Sequence, residues 1–171
     1  MSLLERVSGL NYCIMKNFAI IIFAIAWSWI MPQTLCAQNK LNNAGDNIIG
    51  TYEAWQNKDH FKAKVVKLND GTYRGQVIWA EVDKDQDGNK RLDKKNPNKK
   101  LRSLPLDQAV LFSGLKYDAD KHEWNGTKVY DPQRGVRANM DAHFLDDGRL
   151  QIRGTFMAFS EKCIWKRISG Q

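Results

Sequence analysis

The stretch VRANMDAHF, residues 136–144, alternates apolar and polar side chains along its whole length. Because successive side chains of a β-strand point to opposite faces, this period of two predicts a strand with one apolar face and one wet face. Two further stretches, YRGQVIWA from Tyr73 and LQIRGTF from Leu150, alternate in the same way. The pattern indicates an antiparallel sheet that covers a core on one side only.

Short segments rich in aromatic and β-branched residues recur on both sides of this stretch, which is typical of strands. The predicted strands are TYEAW from Thr51, FKAKVVKL from Phe61, YRGQVIWAEV from Tyr73, AVLFSGLKY from Ala109, EWNGTKVY from Glu123, VRANMDAHFL from Val136, LQIRGTFM from Leu150 and CIWKRI from Cys163. The NDG and DDG turns at 69–71 and 146–148 favour tight hairpins. The prediction is an all-β fold, a single up-and-down antiparallel barrel of about eight strands, with a β-sandwich as the alternative.

An uncharged apolar run of 14 residues, FAIIIFAIAWSWIM at 18–31, precedes these strands. A membrane-spanning helix needs about 20 apolar residues, so the run predicts a signal peptide over residues 1–37, with an uncleaved anchor helix as the alternative. Met15 offers a second start, which makes residues 1–14 a candidate over-extension of the gene start. The predicted location is therefore exported, either periplasmic or secreted.

The remaining chain divides into a polar, Asn-rich stretch at 38–49, predicted as a flexible lead-in, and the barrel domain at 50–168. Residues 38–171 carry 24 basic and 18 acidic side chains, a net charge of about +6. They keep one cysteine, Cys163, so no internal disulfide is expected, and the strand pattern predicts it as a small buried hydrophobe. An exported domain without disulfides fits a bacterial envelope.

Four motifs occur in order: DxxNP at 93–97, LRSLPL at 101–106, YDPxxG at 130–135 and LxxRG at 150–154. Together they resemble a family of exported bacterial proteins, the domain of unknown function 2147, over about residues 50–168. The resemblance implies a lipocalin-like barrel and no established activity. SEKCIWKR at 160–167 departs from the family pattern, where relatives look more like GRTQxWxR. GTY at 50–52 is also similar to the GxW entry motif of lipocalins, with Arg167 placed to cover the barrel base.

Aromatic side chains on the predicted inward faces exceed what packing an eight-stranded barrel requires, which favours a pocket for a small or amphipathic molecule. The candidate ligand contacts are Tyr73, Trp79, Asn96, Trp124, Tyr130, Asp131 and Arg153. The sequence contains no serine nucleophile elbow, glycine-rich phosphate loop or histidine pair with metal spacing, so no catalytic residue is predicted. The preferred hypothesis is a non-enzymatic, lipocalin-like binding protein of the bacterial envelope.

The sequence DKDQDG at 83–88 places carboxylates and a glycine as the first half of a calcium loop does. The second half fails, because Lys94 stands where a bidentate glutamate should be. The candidate ligands are therefore Asp83, Asp85, Asp87 and a borrowed Asp93, a weak calcium site, against a solvated turn as the alternative. No other cofactor is predicted.

Seven cations follow within the charged loop at 83–102: Lys90, Arg91, Lys94, Lys95, Lys99, Lys100 and Arg102. Such a patch attracts an anionic envelope component. It lacks the aromatic residues on which nucleic-acid bases stack, so no nucleic-acid partner is expected. The alternative function is an envelope interaction or structural module that acts through this Lys-rich loop or the outer barrel face. Nothing in the sequence specifies an oligomeric state.

Overall fold

Residues 39–57 and 59–170 are described by a computed structural model. The predicted signal peptide lies outside these residues. Within them the chain forms eight strands: β1 Gly50–Gln56, β2 Asp59–Lys67, β3 Tyr73–Ala80, β4 Val110–Asp118, β5 Glu123–Asp131, β6 Val136–Phe144, β7 Leu150–Phe156 and β8 Phe159–Ser169. Short 3-10 helices lie at Lys40–Asn42, Gly45–Ile48, Lys99–Leu101 and Leu106–Gln108. In this described part of the chain, no helix is both long and apolar enough to cross a membrane.

Each strand pairs antiparallel with the next, and β8 pairs back onto β1, which closes the sheet into a barrel. The all-β, up-and-down barrel is confirmed. Closure gives every one of these strands two partners, so none of them leaves an open edge that would invite aggregation. The stretch at 136–144 is β6, and its residues Met140, Ala142 and Phe144 point into the core as its alternation predicts.

One end of the barrel is closed by residues 39–49, part of the stretch for which the sequence predicted a flexible lead-in. The Asn42 amide donates to the carbonyl of Phe144 (2.9 Å), and its Oδ1 accepts from the Phe144 N–H (2.7 Å). The Trp124 indole donates to the Gly45 carbonyl (2.9 Å), while Ile48 is fully buried. Side-chain amides that satisfy strand-end backbone groups hold this polar segment against the barrel.

Arg167 lies at the same closed end. Its guanidinium lies 5.0 Å from the ring centre of Tyr52 and 5.3 Å from that of Phe144, and it donates to the carbonyl groups of Ile49 (2.6 Å) and Asn47. One cation therefore covers the aromatic core and also satisfies two carbonyl groups of the closing segment. This is the base position that the lipocalin analogy assigned to it.

The half of the interior nearest this end is filled with large side chains that are essentially inaccessible to solvent. They are Tyr52, Val65, Phe112, Leu115, Trp124, Phe144 and Leu150. Gly75 is required here because a Cβ at its position would overlap the Phe112 ring. The closed half is therefore a solid core, as in small barrels without a ligand.

Two β-bulges change which side chains point inward. The irregularity opposite Lys62 and Ala63 shifts β3, so that Val77 points inward and Trp79 lies on the outer wall. Another, between Trp124 and Thr127 in β5, places Tyr130 on the outer side, where its ring meets Arg137. A bulge adds one residue to one strand, so strict alternation predicts the wrong face beyond it.

Candidate functional site

The other half of the barrel is open and holds a cavity of about 720 Å³. The β3–β4 loop at 81–109 and the turns at 132–135 and 157–158 surround its mouth. The inner walls are apolar and come from six strands: Phe61, Leu111, Val129, Ala138, Ile152 and Cys163. Small residues explain the space, since Ala138 and Gly154 occupy inward positions where larger side chains would fill it.

Trp165 forms the floor of this cavity. Its ring centre lies 5.8 Å from that of Tyr52 and 6.3 Å from that of Phe112, both in the solid core, and 5.9 Å from that of Phe61 in the cavity wall. Because Trp165 itself is buried, it separates packed interior from open interior. The barrel is solid below this ring and hollow above it.

Cys163 makes one part of the wall nonpolar at neutral pH. Burial raises the pKa of its thiol to about 11, so the group stays protonated far above pH 7. Its Sγ lies 3.7 Å from the carbonyl oxygen of Trp55, to which it donates a weak hydrogen bond. A protonated thiol in the cavity wall contributes apolar surface and does not act as a nucleophile.

The rim above these walls is polar and nearly balanced in charge. Asp131 accepts hydrogen bonds from the backbone N–H groups of Gln133 (2.8 Å) and Arg134 (3.2 Å), which fix the β5–β6 turn. Arg134 also forms an ion pair with Glu161 of β8. Polar groups therefore ring an apolar interior, an arrangement suited to a molecule with a polar end and an apolar body.

A second hollow of about 560 Å³ lies between the mouth and the charged loop. It shares Gln56, Phe61 and Leu111 with the first cavity, so the two are adjacent. Its outer lining includes Arg91, Lys94 and Lys95. The charged loop thus forms one side of the entrance to the barrel.

A buried hydrogen-bond network attaches this loop to the barrel. The Tyr130 hydroxyl donates to Asp93 Oδ1 (2.6 Å), and the Asn96 amide donates to Asp93 Oδ2 (2.6 Å). All three side chains are buried, and burial together with the Asp93 carboxylate raises the pKa of Tyr130 well above its ordinary value. Two motifs that are distant in sequence, DxxNP and YDPxxG, therefore meet at one point.

A family model described as "Uncharacterized protein conserved in bacteria (DUF2147)" matches residues 53–167. The chain belongs to this family. Among solved structures, it is similar to protein HP1028 from the human pathogen Helicobacter pylori, which is described as a member of the lipocalin family. The similarity has 25% identity and a TM-score of 0.55, and covers 71% of this chain and 82% of that one. A search of curated proteins found no match.

The structure of this DUF2147 protein distributes the candidate ligand contacts over four places. Asp131 borders the cavity, whereas Tyr130, next to it in β5, joins buried Asn96 in the loop network on the outer side. Tyr73 and Trp124 lie in the solid half, where the Tyr73 hydroxyl donates to Asp46 (2.7 Å). The remaining two are on the outer wall: Trp79 lies beside His60, and Arg153 pairs with Asp141. Period-two alternation placed Tyr73 and Trp124 inward correctly, but it missed the outward positions of Trp79 and Tyr130 because it takes no account of bulges.

The calcium loop that the spacing predicted is not formed in the described residues. Asp93 is occupied by Tyr130 and Asn96, Asp83 pairs with Lys90, and Asp85 accepts from backbone N–H groups of its own turn. The part of the chain described contains no cluster of three or more His, Cys, Asp or Glu side chains placed to hold a metal ion. The carboxylates are used in turns and ion pairs, so spacing alone suggested a site that the fold does not assemble.

Sequence patterns missed the cavity walls and the turn between β7 and β8. Strand β8 begins at Phe159, four residues before the predicted segment, so FMAF at 156–159 forms the tip of this hairpin. Phe156 and Phe159 border the cavity mouth. The available signal was negative: this turn has four apolar residues and none of the Gly, Asn or Asp typical of hairpins.

Proposed function

We propose that this protein is a non-enzymatic, exported envelope protein that binds a small or amphipathic ligand in the open half of its barrel. The observation that carries the proposal is the 720 Å³ cavity above a solid, capped base. Ligand pockets for small molecules have volumes of about 300–1,000 Å³ and are lined mainly by apolar side chains. The likeness to a lipocalin-family protein supports the same function.

The lining favours a ligand with an apolar body. Phe61, Val129 and Ile152 offer it carbon surface, and the Trp165 ring limits its depth. At the mouth, Gln56, Asp131 and the Arg134–Glu161 pair provide donors and acceptors for a polar end. The apolar part supplies most of the binding free energy, while the rim sets orientation and specificity.

Titration with dansyl-labelled undecanoic acid, followed by competition with unlabelled palmitic acid, tests the proposal on residues 38–171. Ala138→Phe fills the cavity, while Asn139→Phe adds the same ring at the next position, which is exposed on the outer wall. We expect Ala138→Phe to weaken probe binding by about tenfold or more and Asn139→Phe to leave it unchanged. Thermal melts followed by circular dichroism establish that both variants are folded. Equal affinity in the two folded variants, or no wild-type binding, would refute the proposal.

Export is tested separately, by fractionating the host cells and measuring the mass of the recovered protein. The apolar run at 18–31 supports removal of residues 1–37, so the mass should correspond to a chain that begins at Gln38. Full-length protein in the cytoplasmic fraction would contradict this part of the proposal and leave the ligand-binding part intact.

A further inference from the structure

The β7–β8 hairpin tip presents three large apolar side chains to solvent at the barrel mouth. Phe156, Met157 and Phe159 have exposed fractions of 52%, 85% and 80%. Scattered single apolar residues on a surface are ordinary, but a cluster at one protruding turn marks a place of contact with something else. The tip is therefore a candidate surface for binding a partner.

The backbone of the tip makes this cluster more unusual. Met157 is the first residue of a two-residue turn between paired Phe156 and Phe159, and its φ of 54° is in the left-handed region. Glycine or asparagine is normally found there, since a side chain raises the conformational energy. The sequence thus keeps a large apolar side chain where both backbone geometry and hydration disfavour it.

A basic arc of four lysines lies on the charged loop, which forms one side of the entrance to the barrel. Lys94, Lys95, Lys99 and Lys100 are exposed, and none has a carboxylate within 4.0 Å among residues 39–57 and 59–170. Lys95 donates to the carbonyl of Gln133 (2.6 Å) in the β5–β6 turn. That turn is joined to β8 by the Arg134–Glu161 pair, two residues from Phe159. Apolar tip and free cations therefore share the open end of the barrel.

We propose that the barrel mouth docks onto an anionic phospholipid bilayer. The side chains of Met157 and Phe159 enter the boundary between headgroups and acyl chains, and the four lysines contact lipid phosphates. Phenylalanine and other large apolar side chains insert at this boundary, and each lysine near an anionic surface adds attraction. Neither signal alone gives stable attachment, whereas an apolar insertion combined with a basic patch does.

A lipid surface explains the pairing of these features better than a protein partner does. The apolar element is a turn of four residues, too small for the usual area of a stable protein interface. The four lysines of the arc have no carboxylate within 4.0 Å among the described residues, which suits a diffuse negative surface. Docking in this orientation brings the cavity mouth, which Phe156 and Phe159 border, against the acyl chains.

Co-sedimentation with vesicles tests the proposal. We use residues 38–171, because the barrel and its closing segment are built from residues 39–169. Vesicles of phosphatidylcholine alone are compared with vesicles that also contain phosphatidylglycerol, at low and raised salt. The wild type should bind the anionic vesicles more tightly, and the difference should shrink as salt screens the charges.

Two pairs of variants distinguish docking through the mouth from nonspecific binding to vesicles. Met157→Gly with Phe159→Ser removes the tip, and Ile168→Ser removes an exposed apolar residue (44%) at the closed end. Lys99→Glu with Lys100→Glu reverses two lysines of the arc, and Lys40→Glu with Lys116→Glu makes the same change in charge away from the mouth. Each mouth variant should lose about tenfold or more in vesicle affinity, and each control less than about threefold.

Three results would overturn the proposal. One is absence of wild-type binding to anionic vesicles; another is an equal loss in the mouth variants and their controls. The third is a protein that does not bind vesicles but forms a concentration-dependent dimer, seen by analytical ultracentrifugation, that the tip variant abolishes. The tip would then serve self-association. Glycine suits the φ of residue 157, so unfolding of the tip variant is not expected, and melting curves check it.

Discussion

Removing the Tyr130 hydroxyl tests whether the charged loop is held to the barrel by one buried network. In Tyr130→Phe the ring remains, but Asp93 loses the donor at 2.6 Å and keeps only the Asn96 amide. Both Tyr130 and Asp93 are at most 3% exposed, so water does not readily replace the lost donor. A hydrogen bond to a charged group is worth about 1.5–3 kcal/mol, and we expect the free energy of unfolding to fall by about 2 kcal/mol.

Tyr117→Phe is the matched control. Its hydroxyl donates over the same distance, 2.6 Å, but to a neutral acceptor, the carbonyl of Asn42. The expected loss there is about 1 kcal/mol, because neutral hydrogen bonds contribute about half as much as charged ones. Urea denaturation of both variants gives the two free energies. Hydrogen exchange should also report faster exchange of the Asp93 and Asn96 amides in Tyr130→Phe alone.

A double-mutant cycle with Asp93→Asn separates the pair from its surroundings. If the hydroxyl and the carboxylate interact directly, the sum of the free energies of unfolding lost in the two single variants exceeds the loss in the double variant by about 1 kcal/mol or more. Additive losses, or a Tyr130→Phe variant within about 0.5 kcal/mol of the wild type, would refute the network as the anchor of the loop.

Two further predictions concern the closed end and the cavity wall. Arg167→Met leaves the carbonyl groups of Asn47 and Ile49 without their donor, so it should lower the free energy of unfolding by about 2–3 kcal/mol. It should also speed hydrogen exchange in residues 42–49. Unchanged exchange there would contradict the role of Arg167. At about pH 8, Cys163 should react with iodoacetamide about a hundredfold more slowly than an exposed thiol and faster as the pH rises, because its pKa of about 11 keeps it protonated and only the thiolate reacts. Rapid labelling at that pH would show that the thiol is not part of the apolar wall.

The fold could be predicted because its signal is local and repeated. Each of the eight segments carries its own β signature, and the alternation along β6 survives intact at Met140, Ala142 and Phe144. Family resemblance added closure into a barrel, which alternation by itself does not distinguish from a sandwich. The strands can therefore be predicted from their own residues, whereas the closure of the sheet into a barrel cannot.

The site was harder to predict because it depends on features that a one-dimensional pattern does not contain. One extra residue in β3 moves Trp79 to the outer wall, and one in β5 turns Tyr130 toward the loop. The cavity depends on where small residues such as Ala138 and Gly154 lie close together on the inner face of the closed sheet. The aspartates at 83–87 have calcium-like spacing, yet their ion pairs and turn contacts form only in the folded loop.

The DxxNP and YDPxxG motifs explain the position of the charged loop at the barrel mouth better than they explain which ligand binds. Asp93, Asn96 and Tyr130 direct their hydrogen bonds at one another, so they fix the position of the loop without offering a free polar group to a ligand. The wall positions Phe61 and Val129, in contrast, lie outside those motifs and touch the open space directly. Substitutions at the wall can therefore change which ligand fits while the mouth keeps its shape. Ligand identity in this barrel is thus a question for the wall residues, whereas Asp93, Asn96 and Tyr130 specify the fold around them.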